Sequence, residues 1–259
     1  MSTPRPQRPS LPQALLPLAV AGLGAALAAQ MVARDARYCV PLLALVAFLF
    51  VPAVLGRLRM HKLLMSGDVE RLISSWQGSV GGSAPASTMA PLVRATAYAA
   101  YGWTAAARRA MDRANPGPAW DAALEQRIFV EALLDAFEGD REGAMKKAAA
   151  LESMPLSSAG LLARRRVNIL RRGLAALTRA FAHVSQRGDA GVLAKAAKAS
   201  PLVHWAMRYA AAIVAVDRGR LGEVAGLLSD APAWPEESAF REYHGELLAR
   251  AGVAPKVAP

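Results

Sequence analysis

The chain holds a single cysteine, Cys39, among its 259 residues. One thiol excludes an intrachain disulfide and a cysteine-based zinc site. Aromatic residues make up only 6% of the sequence, so alanine, leucine and valine must supply most of the apolar surface. β-Branched residues are sparse and no stretch alternates apolar with polar, which argues against strands. The four histidines, His61, His183, His204 and His244, fall into no HExxH or other tight ligand spacing. In "EYHGE" (Glu242 to Glu246) a helix would splay His244 away from both carboxylates. "GSVGGSAPAST" (residues 78–88) carries neither a P-loop lysine nor a dinucleotide fingerprint and reads as a flexible linker. No nucleophile–base set stands out, so the sequence assigns no catalytic residue, no metal ligand and no cofactor.

What the chain does contain is alanine-rich and helical in character. Hydrophobic residues reach 54%, and alanine loses no side-chain entropy on entering a helix. The 17 prolines and 20 glycines then act as punctuation between helices. The sequence predicts an all-α fold.

Two long apolar runs open it. Residues 11–33, "LPQALLPLAVAGLGAALAAQMVA", are 23 uncharged positions, and residues 38–56, "YCVPLLALVAFLFVPAVLG", are 19 more. About 20 apolar helical residues span a bilayer core, so the sequence predicts an N-terminal transmembrane helical hairpin. A Pro-rich tail (1–10) precedes it, and "RDAR" (34–37) is its short non-cytoplasmic loop. Cations before the first run and in "RLRMHK" after the second place both termini and the remaining chain in the cytoplasm. A bacterial-type inner membrane is the expected location, with the lipid bilayer a partner through two spans. Ala26-Leu27-Ala28 leaves a cleaved signal peptide as the rival reading of the first run.

Beyond residue 60, glycines recur between apolar helical stretches. Gly67, Gly102, Gly139, Gly188 and Gly219 lie 35, 37, 49 and 31 residues apart. Three of these separations sit near the ~34-residue period of helix-turn-helix arrays. Glycine accepts the left-handed backbone that ends a helix, and Asp68, Asp140, Asp189 or Thr104 can cap the helix that follows. Prolines fall where units should end: Pro116, Pro118, Pro155, Pro201, Pro232 and Pro235.

On these residues the chain resembles the tetratricopeptide repeat family. Ala95, Tyr98, Gly102, Ala107, Met111 and Ala114 occupy the small, tyrosine, glycine, alanine, large-apolar and alanine positions of its motif. Ala132, Gly139, Ala144, Ala148 and Pro155 echo it in the next unit. The resemblance implies an α-solenoid of helix-turn-helix pairs over 57–252, with a short tail at 253–259. It also implies a concave surface lined by first helices that binds a protein partner. The family register places Leu92, Thr96, Phe129, Leu133, Phe137, Thr178, Gln186, Tyr209 and Asp217 on that surface.

The excess positive charge is concentrated in one window. Between Ser153 and Val216 there are ten Lys or Arg against one acidic residue, Asp189. Within "LLARRRVNILRRGLAALTRA", Arg164, Arg165, Arg166, Arg171, Arg172 and Arg179 would surround an apolar line of Leu162, Ile169, Leu170, Leu174 and Leu177. Such a face suits an anionic lipid surface, an acidic protein or a solvated exterior. The missing recognition motif argues against nucleic acid. The leading expectation is a membrane-tethered scaffold that recruits a cytosolic partner through its groove. The alternative is an accessory subunit of a larger transporter or secretion complex, and an enzyme with an unrecognised site is a distant third.

Overall fold

The computed structural model describes residues 39–80, 86–156 and 160–252. Among these, every regular element is a helix: α1 (Cys39–Met65), α2 (Val69–Val80), α3 (Ala86–Ala100), α4 (Thr104–Asp112), α5 (Pro118–Ala122), α6 (Leu124–Glu138), α7 (Arg141–Ser153), α8 (Leu161–Phe181), α9 (Asp189–Ala199), α10 (His204–Asp217), α11 (Leu221–Leu228) and α12 (Ala239–Arg250). A 3₁₀ turn, Pro201–Val203, leads into α10. The chain divides into two compact units, residues 1–59 and 60–259.

The predicted transmembrane hairpin is overturned. Among the described residues no helix is long and apolar enough to cross a membrane. The run at 11–33, its tail, its loop and the 253–259 tail lie outside the described residues. The run at 38–56 is not a separate span. From Cys39 on it is the front of α1, which carries Pro52 within it and continues without a break through Arg57, Arg59 and Lys62 to Met65. Apolar and basic stretches therefore share one helix, where the sequence suggested a span followed by a stop. The predicted linker at 78–88 is helical at both ends, since α2 runs to Val80 and α3 starts at Ala86, and 81–85 lie outside the description.

In the second unit, α3 pairs with α4, α6 with α7, α8 with α9 and α10 with α11, and each pair packs on the next. First helices touch in sequence: α3 on α6, α6 on α8, α8 on α10, α10 on α12. Small side chains permit this close stacking. Ala95, Ala99, Ala107, Ala144, Ala148, Ala176 and Ala180 are all buried.

The turns follow from local chemistry. All five predicted turn glycines have positive φ. At Gly102 (φ 75) the backbone turns left-handed so that Trp103 N–H can reach back to the Tyr98 carbonyl at 2.9 Å and satisfy one of the last carbonyls of α3. Asp68 and Asp140 cap as expected, each accepting the backbone N–H three residues on, Arg71 at 3.1 Å and Gly143 at 2.9 Å. Thr104 does not cap α4. The α8–α9 connection also departs from the pattern. The left-handed residue after α8 is His183 (φ 59), and Gly188 (φ 103) instead precedes α9 as its N-cap residue.

The stack does not stay open. The segment after α11 returns to the start of the unit. Pro232 and Trp234 lie against Gly67, and Ala239 N–H donates to the Gly102 carbonyl at 2.9 Å. Tyr243 OH donates to the Phe137 carbonyl at 2.8 Å. Trp205 Nε1 donates to the Met65 carbonyl at 3.3 Å, and Tyr101 OH to the Leu64 carbonyl at 2.6 Å. At the centre Phe240 stacks on Tyr209 with ring centroids 4.7 Å apart and meets Phe137 and Trp234 edge-on at 5.3 and 5.1 Å. A chain poor in aromatics has spent several of them closing its array.

Candidate functional site

That closure decides what surface remains. Of the residues expected to line a groove, Leu92, Leu133, Phe137, Thr178 and Tyr209 are buried. Each does sit on a first helix, but the helices turn those side chains inward, where the returning C-terminal segment and the neighbouring pairs cover them. Gln186 and Asp217 are exposed at the far turns. The Gln186 carbonyl accepts from Arg218, and Asp217 Oδ1 lies 2.9 Å from His183 Nδ1. Asp217 and His183 border a pocket of about 300 Å³ with Tyr243, Glu246 and Arg250.

Thr96 and Phe129 remain in a common space. They border a cleft of about 700 Å³ walled by α3, α5, α6, α8 and the Pro201–Val203 turn. Met89, Phe129, Leu170, Leu202 and Val203 give it an apolar lining. Thr96 Oγ accepts from Gln126 Nε2 at 2.8 Å and donates to the Leu92 carbonyl at 2.7 Å, so its polar groups are satisfied at the wall. Arg127 lies over the Trp120 ring at 4.0 Å, which holds the short α5 against α6 and shapes that side.

The predicted basic face divides in two. Arg164, Arg165, Arg166 and Arg172 are exposed. Arg179 instead turns toward α9, where its guanidinium donates to both Asp189 oxygens at 2.7 and 3.1 Å. That carboxylate also accepts Gln186 N–H at 2.8 Å, so Asp189 ties down the turn rather than capping α9.

Arg171 turns into the cleft wall and is only 4% exposed. Its Nε donates to Glu125 Oε1 at 3.1 Å and its Nη1 to the Met154 carbonyl. Nη2 lies 3.0 Å from the same Glu125 oxygen, yet the angle gives it no aligned hydrogen bond. The distance marks an ion pair and the angle an unfilled donor, and the two descriptions are compatible. Glu125 itself is 41% exposed at the cleft rim. A buried cation thus leans on a carboxylate that has room to move.

The burial of Arg171 had a signal in the sequence. Val167, Arg171, Leu174 and Thr178 recur at helical spacing, so Arg171 falls on an apolar stripe rather than among the outward arginines. The first half of α8 carries the opposite surprise. Leu161 and Leu162 are 84% and 79% exposed, directly before Arg164 to Arg166. Among the described residues no group of three or more His, Cys, Asp or Glu could hold a metal ion. No protein-family model, curated protein or solved structure matches the chain.

Proposed function

We propose that the chain is an interaction scaffold that recruits an acidic partner protein through the first half of α8. The observation that carries this reading is the pair of exposed leucines set beside exposed Arg165, Arg166 and Arg172. Leu161 and Leu162 are the most exposed of the large apolar side chains of α8 and stand together rather than singly, and interfaces are enriched in arginine around an apolar centre. The resemblance to helix-turn-helix repeat proteins supports the same role. The stacked pairs hold α8 rigidly by its buried second half, from Gly173 to Phe181, so the first half is presented without a further ordering cost.

Affinity capture with the full chain, followed by crosslinking to locate the contact, tests the reading. The triple change Arg165→Glu, Arg166→Glu, Arg172→Glu should weaken capture at least tenfold, and Leu161→Ser with Leu162→Ser should do the same at unchanged net charge. Crosslinks should map to α8 and to an acidic surface of the captured protein. A partner retained equally by both variants, or binding only to anionic lipid vesicles, would overturn it.

A further inference from the structure

We infer that the cleft between α6 and α8 is a binding site for a long-chain carboxylate, whose alkyl chain fills the apolar lining and whose carboxylate takes the place of Glu125 on Arg171. This inference is independent of the partner reading, because it uses the inward side of α8 rather than its exposed end.

Three observations converge. The cleft of about 700 Å³ has the volume of a small-molecule site (~300–1,000 Å³) and the matching chemistry, a mostly apolar lining with few polar groups. Its buried cation is built in rather than incidental. Arg171 is 4% exposed and anchored to the Met154 carbonyl, with Nη2 lacking an aligned acceptor. The counter-charge, finally, is exchangeable. Glu125 reaches Arg171 from a side chain that is 41% exposed, so it can swing to water while another carboxylate enters.

The exchange selects for charge. A buried guanidinium stripped of its anion is strongly disfavoured, so an uncharged or cationic amphiphile would have to leave Glu125 in place and gain nothing from Arg171. An incoming carboxylate keeps the cation paired and offers two oxygens to Nε and Nη2, the forked arrangement that arginine favours. The released Glu125 regains full hydration at the rim. Exposed Arg165, Arg166 and Arg172 on the same helix add a positive field that draws anions toward the cleft. Thr96 and Gln126, already bonded to each other, offer little to a polar tail, which leaves the far part of the cleft to hydrocarbon.

Calorimetric titration of the full chain with dodecanoate, dodecanol and dodecyltrimethylammonium, each below its micelle concentration, provides the test. Dodecanoate should bind at least tenfold more tightly than dodecanol, and the ammonium compound most weakly. Glu125→Gln removes the competing carboxylate and should tighten dodecanoate several-fold while leaving dodecanol unchanged. Arg171→Gln should abolish the preference for the acid. Retention of dodecanol binding by Arg171→Gln separates this loss from unfolding, and the Glu125→Gln result stands on its own if that variant does not fold. Ala123→Phe, which fills the cleft from its half-exposed wall, should block both alkyl ligands. Equal affinity for acid and alcohol, weaker acid binding in Glu125→Gln, or binding indifferent to Ala123→Phe would each overturn the assignment.

Discussion

Ser238 Oγ donates to the carbonyl of Tyr101 at 2.7 Å across 137 residues of sequence. The same oxygen accepts Phe240 N–H at 3.2 Å, so one hydroxyl both caps α12 and fastens it to the α3–α4 turn. Ser238→Ala should therefore cost more than an ordinary cap. It removes the cap and leaves a buried carbonyl unpaired, together about 1–3 kcal/mol. Urea unfolding of the variant against the parent measures it, and a change within error of zero would show that this hydroxyl adds nothing to the closure.

Phe240 is fully buried between Tyr209, Phe137 and Trp234. Phe240→Ala should destabilise by about 3–5 kcal/mol, the range for truncating a core aromatic. Thermal unfolding would register it as a large fall in Tm.

Two glycine-to-alanine changes should act in opposite directions. A methyl at Gly173 in α8 would fall inside contact distance of the Ala196 side chain in α9. Gly173→Ala should cost about 1–3 kcal/mol through overpacking. Gly226 lies inside α11 with open space where a methyl would go. Gly226→Ala should stabilise by up to about 1 kcal/mol through helix propensity. Denaturant midpoints for the pair would separate the two effects.

Stability should fall on the acid side of neutrality. Burial holds the His244 imidazole below its ordinary value of 6.5, and burial does the same for His204. Trp234 Nε1 donates to Tyr209 OH at 2.6 Å, which leaves the Tyr209 proton to be donated to His244 Nδ1 at 3.0 Å. That bond requires a neutral imidazole. The unfolded chain takes up these protons first as the pH drops through 6.5. The contribution of both histidines is thus present above that pH and lost as the pH falls toward their lower folded values. Tm measured between pH 8 and 5 should decline, and His244→Gln should flatten the decline.

Asp189 is buried, accepting from Arg179 twice and from Gln186 N–H. Asp189→Ala strands a guanidinium that is itself three-quarters covered, and should cost about 3–5 kcal/mol. A cost below about 1 kcal/mol would show the pair to be solvated in practice.

Helical class and turn positions were legible in the sequence because both rest on local chemistry. Alanine-rich periodicity marks helices, and glycine marks a backbone with positive φ. The fourth turn departs because a histidine stands where the pattern asks for glycine. His183 holds the left-handed position with its ring bonded to Asp217, and Gly188, though left-handed, belongs to the next helix. Leu92, Leu133, Phe137, Thr178 and Tyr209 lie on first helices but are buried, since repeat register says which face points inward and not what covers it. The cover, Trp234 and Phe240, reads as apolar in any window. Only contacts across more than a hundred residues reveal its target. Charge groups Arg171 with its outward neighbours, although its spacing matches the inward Leu174. The transmembrane expectation rests on apolar length and flanking cations, and neither signals that α1 runs on through Arg57, Arg59 and Lys62.

Fastening the last helix to the α3–α4 turn also limits how this architecture can change. Linear arrays tolerate duplication or loss of a unit, because every unit touches only its neighbours. Here an added pair would push Ser238 away from Tyr101 and expose the aromatic knot. Fraying is equally constrained: neither terminus of the stack can peel off alone, so the second unit should exchange its deepest amides together, and one proteolytic cut between α11 and α12 should loosen helices at both ends of the row.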